Sequence, residues 1–195
     1  LRLGDSGAIW VNQYQGTSDE HIWAAGDCCE AYHRILRKNA WIPLGTTANK
    51  QGRIAGSNAA GHRLRFRGIV GTVGVLVFDL EVARTGLMLE QARREGFEPV
   101  AVTVRQMSRG HAQRGSVALQ VTLIADGPTG LVLGAEFCGP DGAALRVNPV
   151  AAALATHMNV SELQGLDLVY APPFAPVWDP LLVAANKLST EIGRS

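Results

Sequence analysis

The feature that most limits what this chain can fold into is a helical stretch with almost no side chain on one face. Small residues recur at every fourth position, as Ala48, Gly52, Gly56 and Ala60. Residues four apart lie on the same face of an α-helix, so the pattern predicts a helix over residues 47–60 that another backbone or a flat ligand can approach closely. Thr46 or Thr47 would cap its start, and Gly61 would end it.

A Gly-Asp pair precedes this helix. The apolar run over residues 22–25 stops at Gly26 and Asp27, which predicts a short buried strand that ends at an acid. Ligands of open α/β sheets bind beyond the carboxyl ends of the strands, so Asp27 could hold a sugar hydroxyl. The alternative is that Asp27 caps the next turn, which is a common role for an isolated Gly-Asp pair. The basic segment over residues 33–38 that follows is predicted to be a loop.

The start of the helix offers a further chemical possibility. The first-turn N–H groups of a helix have no partner within the helix and lie at the positive end of its dipole, so an anionic group fits there. A reduced flavin carries negative charge on its pyrimidine edge, and a glycine-faced helix could approach that flat ring without steric conflict. Taken alone, such a helix is more often explained by close packing.

From about Phe66 onward the pattern changes to an α+β layout, and we expect two domains, 1–66 and 67–195. The second is predicted to begin with a strand over residues 69–78 and a helix capped by Asp79 and closed at Gly86. A second helix would end at Gly96.

The remaining pattern predicts strands, a hairpin and further helices. Strands are expected over residues 100–104 and 117–123, and the turn over residues 126–130 leads into a strand that ends at Phe137. Ser161 and Gln164 have the spacing of a capping box.

The last helix is predicted to begin at Asp179 and Pro180, because an acidic cap followed by proline is a common helix start. One face of this helix carries its apolar residues, namely Leu181, Ala184, Ala185 and Leu188.

Composition excludes several partners and sites. The net charge is +1, from 18 Lys and Arg against 17 Asp and Glu, so no general field attracts nucleic acid or an anionic membrane surface. No apolar stretch approaches the roughly 20 residues of a spanning helix, and the first residues lack the layout of a signal peptide, so the chain is predicted to be cytoplasmic. The cysteines and histidines have no metal-ligand spacing, so no metal site is expected.

Two segments together carry a resemblance to a known family. The sequence TSDEHIWAAGDCCE followed by WIPLGTTANKQGRIAGSNAAG resembles the second flavin-binding motif of the pyridine nucleotide-disulfide oxidoreductases. The similarity continues through FDLEVARTGL, DGPTGLVLGAE and LDLVYAPPFAPVWDPLLVAANK, which look like the coenzyme A disulfide reductase and NADH oxidase branch. It covers nearly the whole chain, from Gly4 to Lys187. The fold that it implies is an α+β dimerisation domain, an antiparallel sheet with helices packed on it, preceded by a fragment of the FAD-binding domain.

The resemblance also implies roles for single residues. Gly26 and Asp27 would bind the ribityl chain of FAD, and the helix start formed by Thr46, Thr47 and Ala48 would face the pyrimidine edge of its isoalloxazine ring. A tyrosine at the place of Tyr170 would reach across a homodimer toward the redox cysteine and the bound substrate of the other subunit. The substrate class implied is a small disulfide such as coenzyme A disulfide or persulfide.

The family places a flavin-binding Gly-rich turn, a redox cysteine and a nicotinamide-binding Gly-rich turn ahead of this region, and no GxGxxG motif occurs here. We therefore expect a fragment with an incomplete FAD site, whose NAD(P)H site lies upstream and which is inactive alone. Cys28 and Cys29 cannot replace the missing cysteine, because a bridge between adjacent residues strains the peptide, and both are expected to be small buried residues. An NADH oxidase or peroxidase of the same family and a non-catalytic dimerisation module are the alternatives.

The segment YAPPFAPVWDP has four prolines that fix an irregular path and display Tyr170, Phe174 and Trp178. For Phe174 and Trp178, an interface and a local mini-core beneath the last helix are equally open interpretations. The His-Pro segment of glutathione reductase relatives is absent, which favours the coenzyme A branch.

One departure concerns the substrate. The family usually carries a second tyrosine where this chain reads SRGHAQRGS. His111 could replace it as a proton donor, although a lone loop histidine is more often a solvated surface residue. Arg109 and Arg114 could contact a coenzyme A phosphate, although isolated loop arginines usually face water.

Overall fold

The structure is a computed structural model that describes residues 1–193. The chain forms two compact units, the first over Leu1–Gly71 and the second from Thr72 onward. This division lies a few residues after the 66/67 boundary expected from the sequence. Each unit is described by itself below.

The first unit contains a small hairpin and one long helix. The hairpin pairs β1 (Ala31–His33) with β2 (Lys38–Ala40), so the loop predicted over residues 33–38 is in fact two strand ends joined by a turn. Arg37 takes a positive φ of 54° and its N–H donates to the His33 carbonyl at 2.8 Å, which closes this turn.

The buried strand predicted before Gly26 is wrong. Within residues 22–25 only Trp23 makes a strand-like bridge, to Gly16, and Ile22 is 41% exposed. An apolar run alone did not distinguish a strand from an extended surface segment, because burial is decided by contacts far away in sequence.

The long helix α1 spans Gly45–Ala59. It begins before the predicted start, with Leu44 at the N-cap position and no side-chain capping hydrogen bond, so Thr46 and Thr47 lie inside its first turn and neither is the cap. Its end agrees with the prediction, since Gly61 takes a φ of 91° and donates its N–H to the Asn58 carbonyl at 3.0 Å.

The second unit is built on one antiparallel sheet, as the fold prediction required. Its strands are β3 (Val73–Val77), β4 (Leu80–Gly86), β5 (Pro99–Met107), β6 (Ala118–Asp126) and β7 (Val132–Gly139). They lie in the order β3-β4-β7-β6-β5, and every neighbouring pair is antiparallel. The predicted hairpin of β6 and β7 is confirmed.

Short and long helices accompany the sheet. They are α2 (Leu89–Arg94), a single 3-10 turn (Ala144–Arg146), α3 (Val147–Ala155), α4 (Val160–Gln164) and α5 (Pro180–Ile192). Helix α5 packs on β5 and β6, and α3 packs on β4 and β7. The core between them is apolar and fully buried, and includes Leu119, Leu123, Leu133, Phe137, Leu154, Leu181 and Leu188.

Two helix starts were predicted in this unit. Asp179 does cap α5, because its carboxylate accepts from the Leu181 N–H at 2.9 Å and Pro180 is the first helical residue. The capping box of α4 is wrong by two residues, since Asn159 and Glu162 form it in place of Ser161 and Gln164.

The helix predicted between Asp79 and Gly86 is wrong, because Leu80–Gly86 form β4. Phe78 adopts a positive φ of 53°, and Val77 pairs with Leu80, so the chain reverses in a tight hairpin before any helix can begin. Ala83 and Thr85 are then buried at alternate positions of the strand. Strand β3, on the other side of this hairpin, is an edge strand, and its neighbour Phe78 is 92% exposed.

Gly86 closes β4 at a position where no side chain fits. Its φ is 74°, and a Cβ there would lie 2.8 Å from both the Gly134 Cα and the Leu154 Cδ1. Gly96 has a similar φ of 85°, but a Cβ there would meet no atom within 4 Å. The two glycines therefore separate backbone strain from steric conflict.

We predict that Gly86→Ala destabilises the chain by about 2–5 kcal/mol, because it adds overpacking to the strain of a left-handed residue. Gly96→Ala should cost only the strain, about 1–2 kcal/mol. Urea unfolding followed by circular dichroism measures both. Equal losses in the two variants would contradict the close approach at Gly86.

Candidate functional site

Two of the predicted ligand-binding residues of the first unit, Gly26 and Ala48, lie next to each other. Gly26 takes a φ of 86°, and its N–H donates to the Gln51 Oε1 of α1 at 3.0 Å. The Cys29 N–H donates to the Gly26 carbonyl at 3.1 Å and closes the turn. A Cβ at Gly26 would lie 3.5 Å from the Ala48 Cβ, so the turn is next to the first turns of the helix.

Gln51 is a residue of this site that the sequence reasoning missed. Its side chain is on α1, only 1% of the residue is exposed, and its Nε2 also donates to the Glu30 carbonyl at 3.1 Å. It thereby joins the helix to both ends of the segment that contains Asp27. The available signal was an amide residue three positions after Ala48, between the small residues of the helix face.

The start of α1 has free donors. Its first hydrogen bond runs from the Ala48 N–H to the Leu44 carbonyl at 2.9 Å, which leaves the N–H groups of Gly45, Thr46 and Thr47 without a backbone partner in the described part of the chain. Thr46 is exposed and Thr47 is buried. With no acidic residue in its first turn, the helix start keeps its positive dipole end uncompensated.

Asp27 is exposed, and no hydrogen bond to its carboxylate occurs among residues 1–193. Its backbone carbonyl accepts from the Trp41 Nε1 at 2.8 Å, which fixes the backbone of the turn while the side chain stays free. The alternative that Asp27 caps the next turn is therefore not observed.

These residues fit the flavin group that the resemblance implied. The small-residue face of α1 has open space, because a Cβ at Gly45, Gly52 or Gly56 would meet no atom within 4 Å. A free carboxylate, free N–H groups and an open glycine face together suit a ligand with hydroxyl groups, an electron-rich edge and a flat ring.

The adjacent cysteines differ in their surroundings. Cys29 is buried, and its Sγ lies 3.4 Å from the Gly26 carbonyl oxygen, whereas Cys28 is exposed, contrary to the prediction that both are buried. Burial raises the pKa of the Cys29 thiol from its ordinary 9.0 to about 12, and the neighbouring Cys28 adds to the rise. Cys29 is therefore a neutral thiol at physiological pH and a poor nucleophile.

In the second unit, the proline segment displays its aromatic residues. Tyr170, Phe174 and Trp178 are 52%, 69% and 58% exposed, so the mini-core interpretation of Phe174 and Trp178 is wrong for this chain. The segment has a fixed shape, because the N–H groups of Phe174 and Ala175 both donate to the Ala171 carbonyl, at 2.9 and 3.0 Å.

A groove of about 330 Å³ lies beside this segment. Its lining is Gly142, Leu145, Arg146, Pro149, Leu168, Val169, Phe174, Ala175, Asp179 and Leu181. Among these, Leu145 and Val169 are strongly exposed apolar residues, as is Val177 nearby in the sequence. The Arg146 Nε pairs with the Asp179 Oδ2 at 2.9 Å within the lining.

The loop that contains His111 is tied to the proline segment. The Gly110 N–H donates to the Pro172 carbonyl at 3.1 Å. Arg109 does not face water freely, because it forms an ion pair with Asp141 and donates to the Gly115 carbonyl at 3.3 Å. His111 and Arg114 are exposed.

No group of three or more His, Cys, Asp or Glu side chains in the described residues is arranged to hold a metal ion. None of the helices over residues 1–193 combines the length and the apolar character needed to cross a membrane.

Comparison with known families identifies the class. The model of the pyridine nucleotide-disulphide oxidoreductase dimerisation domain matches residues 72–180, which is the greater part of the chain. The chain therefore belongs to the pyridine nucleotide-disulphide oxidoreductase family.

Two curated relatives show which members of the family this chain is similar to. The NAD(P)H coenzyme A polysulfide/persulfide reductase of Pyrococcus horikoshii is 38% identical over 96% of this chain and 42% of its own length. An NADH oxidase of Methanocaldococcus jannaschii is 30% identical over 92% of this chain and 40% of its own length. The chain thus spans about two fifths of the length of these curated relatives.

A solved structure of an NAD-dependent persulfide reductase from A. fulgidus superimposes with a TM-score of 0.95 and 34% identity, covering 99% of this chain and 36% of that one. The solved structure of reduced CoADR-RHD from Bacillus anthracis superimposes with a TM-score of 0.92 and 32% identity. The match covers 99% of this chain and 35% of that one.

We predict that iodoacetamide at pH 8 alkylates Cys28 of the native chain and leaves Cys29 unmodified. With a pKa of about 12, only about one Cys29 in 10⁴ is a thiolate at that pH, and its burial restricts access as well. Peptide mass spectrometry locates the label, and urea should expose Cys29 to the reagent. Equal labelling of both cysteines in the native state would contradict this environment.

The same pKa gives a pH dependence of stability. The folded chain keeps a proton that the unfolded chain releases, so Cys29 supports the fold fully below about pH 9, and this contribution is lost as the pH rises toward 12. Cys29→Ala removes this thiol. Its free energy of unfolding, measured with urea, should therefore fall less steeply between pH 9 and pH 12 than that of the wild type.

Proposed function

We propose that this chain is the carboxy-terminal part of an FAD-dependent NAD(P)H disulfide oxidoreductase of the coenzyme A disulfide or persulfide reductase type. It would contribute part of the flavin site and the homodimer interface of a cytoplasmic enzyme. The observation that carries the proposal is the free Asp27 carboxylate on a turn that Gln51 holds against the open start of α1.

In this proposal, the first unit holds FAD through its own residues. The Asp27 carboxylate accepts hydrogen bonds from ribityl hydroxyls. The helix start at Thr46, Thr47 and Ala48 faces the electron-rich pyrimidine edge, with the free N–H groups of Thr46 and Thr47 as its donors. Gly26 contributes by the positive φ that turns the chain past Ala48. When bound, FAD supplies the two-electron carrier between a nicotinamide and a disulfide.

The second unit would supply the homodimer contact and a catalytic group. Family membership supports a twofold dimer built through this domain, and the exposed apolar residues around the groove suit such a contact. The hydroxyl of Tyr170 would act as a proton donor at the cysteine site of the other subunit. The substrate class follows the persulfide and coenzyme A relatives.

An oxidase that reduces oxygen is the second candidate, and the specific observation that favours it is the 30% identity to the archaeal NADH oxidase. The two functions differ in the final electron acceptor. Comparing NADH consumption with coenzyme A disulfide under argon and with oxygen alone separates them.

We predict that the 195-residue chain alone retains little or no FAD, whereas the full-length protein purifies with bound flavin. In the full-length protein, Asp27→Asn should weaken FAD binding about 10- to 150-fold, which corresponds to about 1.5–3 kcal/mol for a charge-assisted hydrogen bond. Isothermal titration of the apoprotein with FAD measures the change.

Asp19→Asn is the matched control, because Asp19 is an exposed acid of the same unit whose side chain caps a local turn at His21. It should leave FAD affinity unchanged. A full-length protein without flavin would favour the non-catalytic dimerisation module and refute the proposal. Unchanged affinity in Asp27→Asn would remove Asp27 from the site.

We predict that Tyr170→Phe in the full-length enzyme keeps the dimer and lowers disulfide turnover. The ring and its packing remain while one donor is lost, and a positioned general acid contributes about 10²- to 10⁴-fold to the rate. Light scattering measures the dimer, and steady-state kinetics with coenzyme A disulfide measure kcat. Full activity would reassign Tyr170 to packing, and a monomer would show that its hydroxyl is structural.

A further inference from the structure

Arg146 makes four side-chain hydrogen bonds beside the proline segment. Its Nε pairs with the Asp179 carboxylate at 2.9 Å, and the two side chains are only 15% and 11% exposed. Its terminal nitrogens donate to three carbonyls, those of Gly142 at 2.5 Å, Ser108 at 2.6 Å and Phe174 at 3.3 Å. One guanidinium therefore connects three stretches of chain, which are those around Ser108, around Gly142 and from Phe174 to Asp179.

These hydrogen bonds and the chain between them form a closed ring of contacts that passes through the proline segment. From Arg146 the ring passes to Ser108, along the chain to Gly110, across to Pro172, and through Phe174 back to Arg146. Tyr170 lies directly before this ring in sequence, at the Ala171 turn that Phe174 helps to close.

Asp179, the acidic partner of this ion pair, fixes the carboxy-terminal end of the proline segment. The Asp179 Oδ2 binds Arg146, while its Oδ1 accepts from the Leu181 N–H and caps α5. The aromatic segment is thus held between a helix start in the core and a ring of backbone bonds. A lysine could keep the charge but has no fork of donors to reach the three carbonyls together.

We propose that Arg146 is the positioning residue of Tyr170, acting through the Asp179 pair and the Ser108 and Phe174 carbonyls. This inference rests on the proposed function, which gives the Tyr170 hydroxyl its chemical role. Arg146 does not act on substrate, and it sets where the hydroxyl stands. A misplacement of about 1 Å is enough to lower a rate about 10²-fold, so such a residue controls turnover without taking part in the chemistry.

The test in the chain itself uses fluorotyrosine labelling and ¹⁹F NMR. The chain has three tyrosines, and Tyr170 is the one in the second unit, so its resonance is assigned by its loss in Tyr170→Phe. The variant is Arg146→Met with Asp179→Asn, which removes both charges of the pair and keeps a side chain that caps helices well. We expect the Tyr170 resonance to shift toward its unfolded position and sharpen, while Tyr14 and Tyr32 stay unchanged.

Arg93→Met with Glu90→Gln is the matched control, because it removes an exposed ion pair from α2 of the same unit. It should leave the Tyr170 resonance in place. In Arg146→Lys with Asp179 intact, the Tyr170 resonance should lie between its position in the wild type and its position in the neutral double variant. An unmoved Tyr170 resonance in the neutral double variant would overturn the proposal. So would loss of the whole second unit, since that result assigns Arg146 a general structural role.

The kinetic test in the full-length enzyme is a double-mutant cycle. If Arg146 acts through Tyr170, the neutral pair variant lowers kcat about 10²-fold with the KM for NAD(P)H unchanged, and adding Tyr170→Phe lowers kcat little further. Additive losses would overturn the proposal. A failure of the proposed function would instead appear as absent flavin or absent turnover in the wild type, with the NMR result unaffected.

Discussion

The hydrogen bond from the Gly26 N–H to the Gln51 side chain is the interaction on which the first unit's candidate site depends. It leaves Asp27 free, because the turn gains its stability from a buried amide and needs nothing from the adjacent carboxylate. The same amide donates to the Glu30 carbonyl, so both ends of the turn are anchored to one helix residue. A ligand then meets a carboxylate whose backbone is already ordered, which reduces the entropy lost on binding.

The second unit also holds the backbone beneath its candidate residues in place, but it does so through the packing of helices on its sheet. Its sheet is antiparallel with β7 flanked by β4 and β6, and helices α3 and α5 cover it. The start of α5 and the 3-10 turn that precedes α3 are therefore fixed by the core, and Asp179 and Arg146 project from these two ends. Prolines then limit the conformations of the segment that leads into Asp179. The aromatic residues are exposed, yet they stand on a rigid base.

Sequence reasoning succeeded at several places where the decisive information was local, although it misplaced the caps of α1 and α4. The Asp179-Pro180 helix start, the turn after β6 and the end of α1 before Gly61 all depend on residues within a few positions of each other. It failed where tertiary contacts decide. The prediction of a helix over β4 is wrong because this strand forms by pairing with β3 and β7. The prediction of a buried strand at Ile22 is wrong because that stretch is exposed.

The same distinction applies to the candidate sites. Gly26, Asp27 and the start of α1 could be named from motifs, and the structure brings Gly26 and Ala48 together. Gln51 and Arg146 could not be named, because all their partners except Gly142 lie 21 to 38 residues away in sequence, and a lone glutamine or arginine carries no signal of such bonds. Edge strand β3 has a further physical consequence. Unpaired backbone groups next to an almost fully exposed phenylalanine form a template onto which other copies can add as strands. We therefore expect self-association of this polypeptide at high concentration to begin at this edge.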